Sequence, residues 1–392
     1  MPGRSIVLSV KPDLLCWARV SVGLDTDKAA SKIKVRDEIL KNWESGTARP
    51  TLVQAEKLAN LYKRPLAAFF LPRPPKEPTL PRDFRTLPSG SPGPLSYETR
   101  IAIRRAWRLQ SLTIELAEGL GRILRPGLDG VQRSDDPERL AASVRSAINT
   151  PVDDQFKWQG HHEALRRWRR SLEPLGVSAF QFSMPLEDTR GFSLPSAKAP
   201  AIVLNTRDWI NARSFSLFHE LGHLLLDKAG ICGMELWERG AEPGIVSTEK
   251  FCNHFAGAFL VPRAALLDHL VVTGTHRARK WSDEELQHLA QDFKVSKEVV
   301  LRRLLMSELA TQTFYEAKRE EWTRAARARP KKKSHGAQSP AKRCVNENGV
   351  PFVALVLDSF NGNRITYADV SNYLGVRTKH IDKIAELSVN RG

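Results

Sequence analysis

One short string in the chain carries the residue types and the spacing of a catalytic metal site. His219 and His223 lie four positions apart, with Glu220 directly after the first histidine. On a helix, positions i and i+4 share one face, so both imidazoles can reach one tetrahedral Zn²⁺ at about 2.0–2.1 Å. Glu220 lies beside that face, where a carboxylate can take a proton from a water that the metal activates. The pattern predicts a zinc hydrolase with Glu220 as catalytic base, and two exposed histidines on an ordinary helix are the competing interpretation.

A catalytic zinc site also needs a third protein ligand and one open position. Only one downstream candidate, Glu249, lies at the start of a well-formed amphipathic stretch, so we predict that Glu249 is the third ligand. The alternative for Glu249 is a first-turn carboxylate stabilised by the helix dipole. Asn253, one turn later, is predicted to hydrogen-bond one of the ligands from outside. The other downstream candidates are Glu235, Glu238, Glu242 and His254.

Peptide hydrolysis by such a site usually also uses a group that stabilises the negative oxygen formed on the substrate. None of the five tyrosines lies between residues 98 and 314, so we expect this group to be Arg213, a histidine or a residue from another part of the chain. A substrate strand is expected to pair with an exposed strand edge near residues 190–204, since strand addition is a common way to present a peptide.

Two amphipathic helices are predicted to carry the metal-site residues, over about 212–228 and 247–260. Strand patterns at 177–182 and 201–204 precede them. Further helices are predicted at about 97–120, 137–146, 163–171, 284–293 and 297–305. The fold class expected from these patterns is α+β, mostly helical, with a small β-sheet in the central part of the chain.

The N-terminal residues predict four short helices that are separated by tight turns, which is typical of a helix-turn-helix module. Each helix is indicated by an apolar stripe: Leu14, Leu15 and Ala18; Ala29, Ala30 and Ile33; Ile39, Leu40 and Trp43; and Ala55, Leu58, Ala59 and Tyr62.

Composition limits the classes of protein that the chain can belong to. The 392 residues carry a net charge of +16, and residues 318–343 hold 10 basic against 2 acidic side chains. Such a run is either a solvated linker or a surface that contacts phosphates. There is no apolar run long enough for a membrane span, no signal-peptide pattern, and the four cysteines are scattered, so we expect a cytoplasmic protein without a disulfide framework.

The central part of the chain resembles the ImmA/IrrE family of bacterial and phage zinc metallopeptidases. The match includes Gly191-Phe192-Ser193, the string HELGHLLL at 219–226, the segment EKFCNHFAGAFLVP at 249–262, and Leu289 to Ser296. The resemblance implies a zincin-like domain in which His219, His223 and Glu249 bind zinc and Glu220 is catalytic. It also implies a function, namely cleavage of a helix-turn-helix repressor that controls stress-response or mobile-element genes.

The N-terminal part resembles Cro/repressor-type (XRE) helix-turn-helix domains, through Trp43-Glu44-Ser45-Gly46 and Arg49-Pro50-Thr51. The resemblance places a recognition helix at about 35–43, where Arg36, Lys41 and Asn42 are the candidates for DNA contact. Asp37 and Glu38 depart from the pattern, because carboxylates repel phosphates. The alternative is a helical module that docks a partner protein or the peptidase domain.

Together these features predict five segments. They are a helix-turn-helix domain at 1–78, a linker at 79–95, a zinc peptidase domain at 96–312, a basic helix and linker at 313–343, and a small helical C-terminal unit at 344–392. The expected cofactor is Zn²⁺, and the expected partners are a repressor as substrate and DNA. The alternative function is a DNA-binding regulator or an antitoxin-like protein whose zinc domain is sensory or structural.

Overall fold

The computed structural model describes residues 6–78, 80, 82–83, 94–130, 136–226, 230–232, 243–328 and 338–389. The contacts within the chain group it into two compact units. The first comprises residues 1–80 and 92–105, and the second comprises residues 81–91 and 106–392. Residues 329–337 of the predicted basic helix and linker lie outside the described residues, as do Glu235, Glu238 and Glu242.

The first unit is helical, and all four predicted helices are present. Turns in the left-handed conformation at Lys34, Gly46 and Lys63 end three of them, which keeps these helices short. The helices are α1 (Pro12–Ser21), α2 (Thr26–Ile33), α3 (Asp37–Ser45) and α4 (Leu52–Tyr62), followed by a 3₁₀ helix at Leu66–Phe70. Their predicted apolar stripes form one core, because each stripe is buried against the others.

Helix α3 is held to the rest of the first unit by both its apolar and its polar residues. Leu40 and Trp43 are buried in the core. On the polar side, the guanidinium of Arg19 in α1 donates two hydrogen bonds of 2.8 Å to the carboxylate of Glu44. Both side chains are largely buried, and this bidentate geometry is the strongest kind of ion pair. Helix α3 therefore has a defined position with its opposite face exposed.

The second unit contains one mixed sheet of five short strands. The strands are β1 (Arg82–Asp83), β2 (Ser178–Phe182), β3 (Gly191–Leu194), β4 (Ala201–Asn205) and β5 (Gly230–Cys232). Their order is β1-β5-β3-β4-β2, with β2 parallel to β4, β3 antiparallel to both of its neighbours, and β1 parallel to β5. The two predicted strands correspond to β2 and β4.

Helices make up most of the second unit, as the sequence predicts. A first group is α5 (Tyr97–Gly119, which begins in the first unit), α6 (Pro137–Ala147), α7 (Val152–Lys157), α8 (Gly160–Ser171), α9 (Ile210–Leu225), α10 (Pro243–Leu260) and α11 (Arg263–Leu267). A second group is α12 (Asp283–Asp292), α13 (Lys297–Met306), α14 (Gln312–Ala328), α15 (Pro340–Asn348), α16 (Val350–Asn361), α17 (Tyr367–Leu374) and α18 (Ile381–Val389), with 3₁₀ helices at Gly127–Gly130 and Thr378–His380. Within the described ranges, no helix combines the length and apolar character that crossing a bilayer requires.

The expectation of an exposed strand edge near residues 190–204 is wrong. Strand β3 pairs with β4 on one side and with β5 on the other, and β4 in turn lies between β3 and β2. Both strands are buried along their whole length. The error arose because β3 is only four residues long, which is too short for its residue pattern to indicate how the strand is paired.

The outer side of β2 is covered by the C-terminal helices. Helix α15 packs against β2, and Gln181 donates a hydrogen bond of 3.1 Å to the backbone carbonyl of Asn346. Phe352 of α16 meets Phe180 edge to face, with ring centroids 6.2 Å apart. The residues after 340 therefore complete the same compact unit as the sheet.

A large hydrophobic core of the second unit includes the place where α8, α9 and α10 meet. Phe218 of α9 stacks on Phe259 of α10 with ring centroids 3.8 Å apart, and Trp168 of α8 packs edge-on against Phe218 at 5.1 Å. All three rings are fully buried. Because Phe218 directly precedes His219, this packing sets the rotation of α9 about its axis and so the direction in which the histidines face.

Candidate metal centre

The two motif histidines lie one turn apart on α9 and face the same side. Their Nε2 atoms are 3.2 Å apart, and both side chains are almost completely buried. The competing interpretation, two exposed histidines on an ordinary helix, is therefore wrong. Every residue of α9 from 216 to 225 is buried. The sheet covers one side of the helix, and α8 and α10 cover the others.

Helix α10 crosses α9 closely enough for Glu249 to reach both histidines. Glu249 Oε1 lies 3.0 Å from His223 Nε2, and Glu249 Oε2 lies 3.2 Å from His219 Nε2. Gly222 makes this approach possible. A Cβ atom at position 222 would lie 3.1 Å from Sγ of Cys252 and 3.3 Å from its Cα, which is tighter than ordinary packing allows. Cys252 therefore packs between the two helices.

The three side chains form the one His/Cys/Asp/Glu cluster of metal-binding geometry among the described residues, with one donor atom from each within 4.8 Å of the others. The donor separations of 3.0–3.2 Å suit a tetrahedral ion. Ligands at about 2.0–2.1 Å from zinc lie about 3.3 Å from one another. Two imidazole nitrogens and a carboxylate are also donor types that zinc prefers. The residues present therefore fit a zinc ion.

Asn253 lies where the sequence predicts, one turn after Glu249 on α10. Its Oδ1 is 3.1 Å from Nδ1 of His219. When Nδ1–H donates to this oxygen, the lone pair of the imidazole is left on Nε2, which is the atom that faces His223 and Glu249. Asn253 thus fixes both the tautomer and the ring orientation of His219.

Glu220 is buried beside the cluster, between α9 and the sheet. It is 1% exposed, and its Oε2 has no hydrogen-bond partner among the described residues. Burial raises the pKa of this carboxyl above its ordinary value, against the opposing influence of His223 and His219. A carboxylate with an unused oxygen and a raised pKa is suited to accepting and returning a proton.

Strand β3 provides the space that Glu220 occupies. A Cβ atom at Gly191 would lie 2.9 Å from the carbonyl oxygen of Val203 and 3.5 Å from Oε1 of Glu220. Ser193, two residues along the same face, contributes a hydroxyl group that acts to lower the pKa of Glu220. In the sequence, Gly191 and Ser193 stand out only through the family resemblance, and the pairing of β3 is what places them beside Glu220.

The electrostatics of the cluster couple the histidines to Glu249. Burial alone would raise the pKa of Glu249, but the two histidines outweigh it and lower that pKa to about 2. For His219, burial acts to lower the pKa, and the facing Glu249 carboxylate overcomes this and raises it. Glu249 is therefore an anion held against two imidazoles in a buried setting.

Two further candidates have other contacts. Arg213, proposed as an oxyanion stabiliser, donates through Nε to the carbonyl of Asp208 at 3.0 Å and through Nη1 to Gln181 Oε1 at 3.3 Å. His254 lies 2.8 Å from Glu138 Oε1, and it shares that carboxylate with Arg303. These two side chains are engaged in holding the fold, and the structure does not bring them to the His219–His223–Glu249 cluster.

The three predicted DNA-contacting residues are exposed in the first unit. Arg36 is the N-terminal flanking residue of α3, and Lys41 and Asn42 lie on the exposed side of the helix. Lys41 forms an ion pair of 2.6 Å with Asp37, one turn earlier. This pairing places one of the unexpected carboxylates beside a lysine and so reduces its repulsion of phosphates.

Comparison with known families supports a peptidase domain around the cluster. Residues 172–305 match the family model of the IrrE N-terminal-like domain, a peptidase family. The matched segment is about a third of the chain and includes β2 to β5, α9 and α10, and thus every residue of the cluster. It supports a metallopeptidase of the IrrE/ImmA type. Searches of curated proteins and of solved structures gave no significant match.

Proposed function

We propose that this chain is a zinc-dependent endopeptidase that cleaves a transcription repressor. The observation that carries the proposal is the convergence of His219, His223 and Glu249 inside a segment that matches a peptidase family. A donor set of two imidazoles and one carboxylate leaves a fourth position of a tetrahedral ion for water or substrate, which is the arrangement of catalytic rather than structural zinc.

The chain supplies the proton transfers. When bound, zinc would act as a Lewis acid that acidifies the attacking water and polarises the scissile carbonyl. Glu220 accepts the proton that the water loses and later donates it to the departing amine. Its burial and its unpartnered Oε2 support this role, since the proton is held in a site of low polarity. Asn253 keeps His219 oriented throughout.

A repressor is the proposed substrate because a second resemblance, to repressor domains, lies in the N-terminal unit, outside the matched residues 172–305. The N-terminal helices resemble those of XRE-type repressors, and α3 presents Arg36, Lys41 and Asn42 on an exposed face. A fused module of this kind would bring the peptidase to DNA-bound repressors. Selection of bound duplexes from a random DNA pool tests the module: enrichment of one sequence by the wild type, lost in Asn42→Ala, is expected, and no enrichment would refute DNA binding.

Replacing Glu220 with glutamine tests the catalytic proposal. Glutamine has nearly the shape of glutamate, and Glu220 is not one of the three candidate metal donors. The zinc content of Glu220→Gln, measured by elemental analysis, should therefore stay at the wild-type level. Cleavage of a peptide library, read as new termini by mass spectrometry, should fall by about 10²–10⁴-fold. Glu138→Gln, the same change at a carboxylate outside the cluster, serves as control and should retain cleavage. Equal cleavage by wild type and Glu220→Gln would refute the mechanism.

The second candidate is a regulator in which the metal is sensory or structural. The observation that favours it is burial, since Glu249 and His223 are 1% and 0% exposed. Under this proposal zinc binding changes stability and DNA binding, and no library peptide is cut by the wild type or by Glu220→Gln. The same experiment therefore separates the two functions.

A further inference from the structure

The candidate catalytic and metal-binding side chains are closed off from solvent. His219 is 6% exposed, Glu220 and Glu249 are 1% exposed, and His223 is fully buried. Peptide hydrolysis needs a scissile carbonyl at the open position of the metal and within reach of Glu220. For the peptidase function proposed above, an element beside the cluster must therefore move aside before a substrate enters.

The pairing of the sheet becomes shorter toward the edge formed by β1. Strands β2 and β4 are joined over five residue pairs, β3 and β4 over four, β3 and β5 over three, and β1 and β5 over two. Strand β5 also begins with Gly230, and glycine weakens a strand because it loses the most backbone freedom on folding. Elements held by few hydrogen bonds open at a low free energy, so β5 and β1 are the part of the sheet that is released most easily.

Strand β5 lies against the part of β3 that flanks Glu220. Cys232 is paired with Gly191, and Gly230 is paired with Ser193, two residues farther along β3. A Cβ atom at Gly191 would lie 3.5 Å from Oε1 of Glu220. Directly opposite residues of antiparallel strands have Cα atoms about 4.5–5.5 Å apart. The backbone of β5 is therefore the neighbour of β3 at the point where β3 meets Glu220.

The direction of β5 makes it comparable to a bound peptide. It is extended and antiparallel to β3, which is a geometry in which a peptide can add to the edge of a sheet. Such pairing uses backbone N–H and C=O groups, which every residue except proline carries, so it depends little on the side chains. An incoming extended peptide can therefore replace the hydrogen bonds of β5, while β4 keeps the other edge of β3 paired.

We propose that β5 inhibits the peptidase from within the chain, because it occupies the position on β3 that an extended substrate peptide takes. Displacement of β5 by such a peptide opens the cluster and places the peptide beside Glu220. The inference rests on the proposed peptidase function, and it explains why donors of the catalytic type lie buried. The substrate class that fits this site is an extended segment of a protein rather than a folded surface.

Ile231→Pro tests the proposal in the full chain, since proline removes the backbone N–H of the central residue of β5 and fixes its φ. Cleavage of the peptide library by the zinc-loaded protein should rise by about tenfold or more, because an open state populated at about 10% or less becomes the main state. Hydrogen exchange gives a readout that is independent of activity. The amides of β3 should exchange faster in the variant, whereas those of β4, which lies between β3 and β2, should stay protected.

Ile231→Ala and Ile231→Gly form a matched pair, because both remove the same side chain and both keep the backbone N–H. Glycine weakens a strand more than alanine does, so Ile231→Gly should cleave about two- to fivefold faster than Ile231→Ala. Circular dichroism and melting curves verify the fold of each variant. If Ile231→Pro does not fold, the ratio of these two cleavage rates decides the outcome, and a ratio of one overturns the proposal.

Equal cleavage by the wild type, Ile231→Pro and Ile231→Gly would overturn the proposal and leave the peptidase function intact. Faster exchange in β3 without faster cleavage would also overturn it, since β5 would then cover β3 without inhibiting the enzyme. No cleavage by any variant would instead contradict the peptidase function. In that case, capture of library peptides by zinc-loaded Glu220→Gln decides the role of β5. At least tenfold more bound peptide after addition of Ile231→Pro would support a peptide position on β3, and equal capture would refute it.

Discussion

Helix α10 takes part in two clusters in which a carboxylate meets histidine, and they differ in one decisive respect. On one side Glu249 meets His219 and His223. About 140° around the helix, His254 meets Glu138, which also accepts from Arg303 Nη1 at 2.5 Å and Nη2 at 3.0 Å. The second cluster contains a permanent cation, and the first contains none.

This difference is the reason why a metal is proposed for the cluster of His219, His223 and Glu249 and not for the cluster around Glu138. The guanidinium of Arg303 is 1% exposed and compensates the charge of Glu138 whatever the protonation of His254. Glu249 is as buried as Arg303, but its partners are imidazoles and not a guanidinium, which is charged at every physiological pH. A buried carboxylate facing two imidazoles is compensated best by a divalent cation that all three donors share. The absence of a permanent cation beside Glu249 among the described residues therefore supports the proposal that His219, His223 and Glu249 hold a metal ion.

The largest effect is expected when one histidine is removed from each cluster, which tests whether only the first cluster binds zinc. His223→Ala should reduce zinc affinity by more than about 100-fold, because one of three protein ligands is lost. His254→Ala should leave zinc affinity unchanged. Zinc titration against a competing chelator measures both. Similar loss in the two variants would mean that the clusters are not functionally distinct.

A smaller effect is expected from the side chain that orients a donor. Asn253→Ala leaves all three ligands in place but removes the hydrogen bond to Nδ1 of His219. We expect zinc affinity to fall by about 10–100-fold, the usual cost of losing such a partner. Asn253→Asp should retain most of the affinity, since its carboxylate still accepts from Nδ1–H. An alanine variant with wild-type affinity would show that α9 alone orients the ring.

The smallest effect is expected on the stability of the fold at the cluster of His254, Glu138 and Arg303. Burial acts to raise the pKa of Glu138, but hydrogen bonds from His254 and Arg303 dominate and lower it to about 2. Since the pKa in the folded state lies below that in the unfolded state, the stabilisation is present above about pH 4.5 and is lost as pH falls toward 2.

Glu138→Gln should therefore lower the free energy of unfolding at pH 7 by about 1–2 kcal/mol, a value reduced from the full pKa shift because the carboxylate is one-third exposed. Urea unfolding at pH 7 and pH 3 measures this. The difference between variant and wild type should shrink at pH 3, and a difference that is constant with pH would rule out the ionised carboxylate as its source.

Much of the second unit was predictable because its signals are local. The spacing of His219 and His223 and the amphipathic start at Glu249 indicate a helix-borne donor set, and the structure brings these residues together. The pairing of β3 was not predictable, since four residues are too few to establish a periodic pattern. The pairing of His254 with Glu138 was not predictable either, since the two residues are 116 positions apart in the chain.

By itself, the sequence determined which side chains can share a helical face, because the 3.6-residue period is a property of the backbone. It also determined the amphipathic helices of both units and the excess of positive charge. Only the tertiary structure decided which helices cross and how closely. Gly222 lets α10 approach α9, and Gly191 on β3 leaves room for Glu220. Such contacts depend on packing between segments far apart in the chain, and no local pattern encodes them.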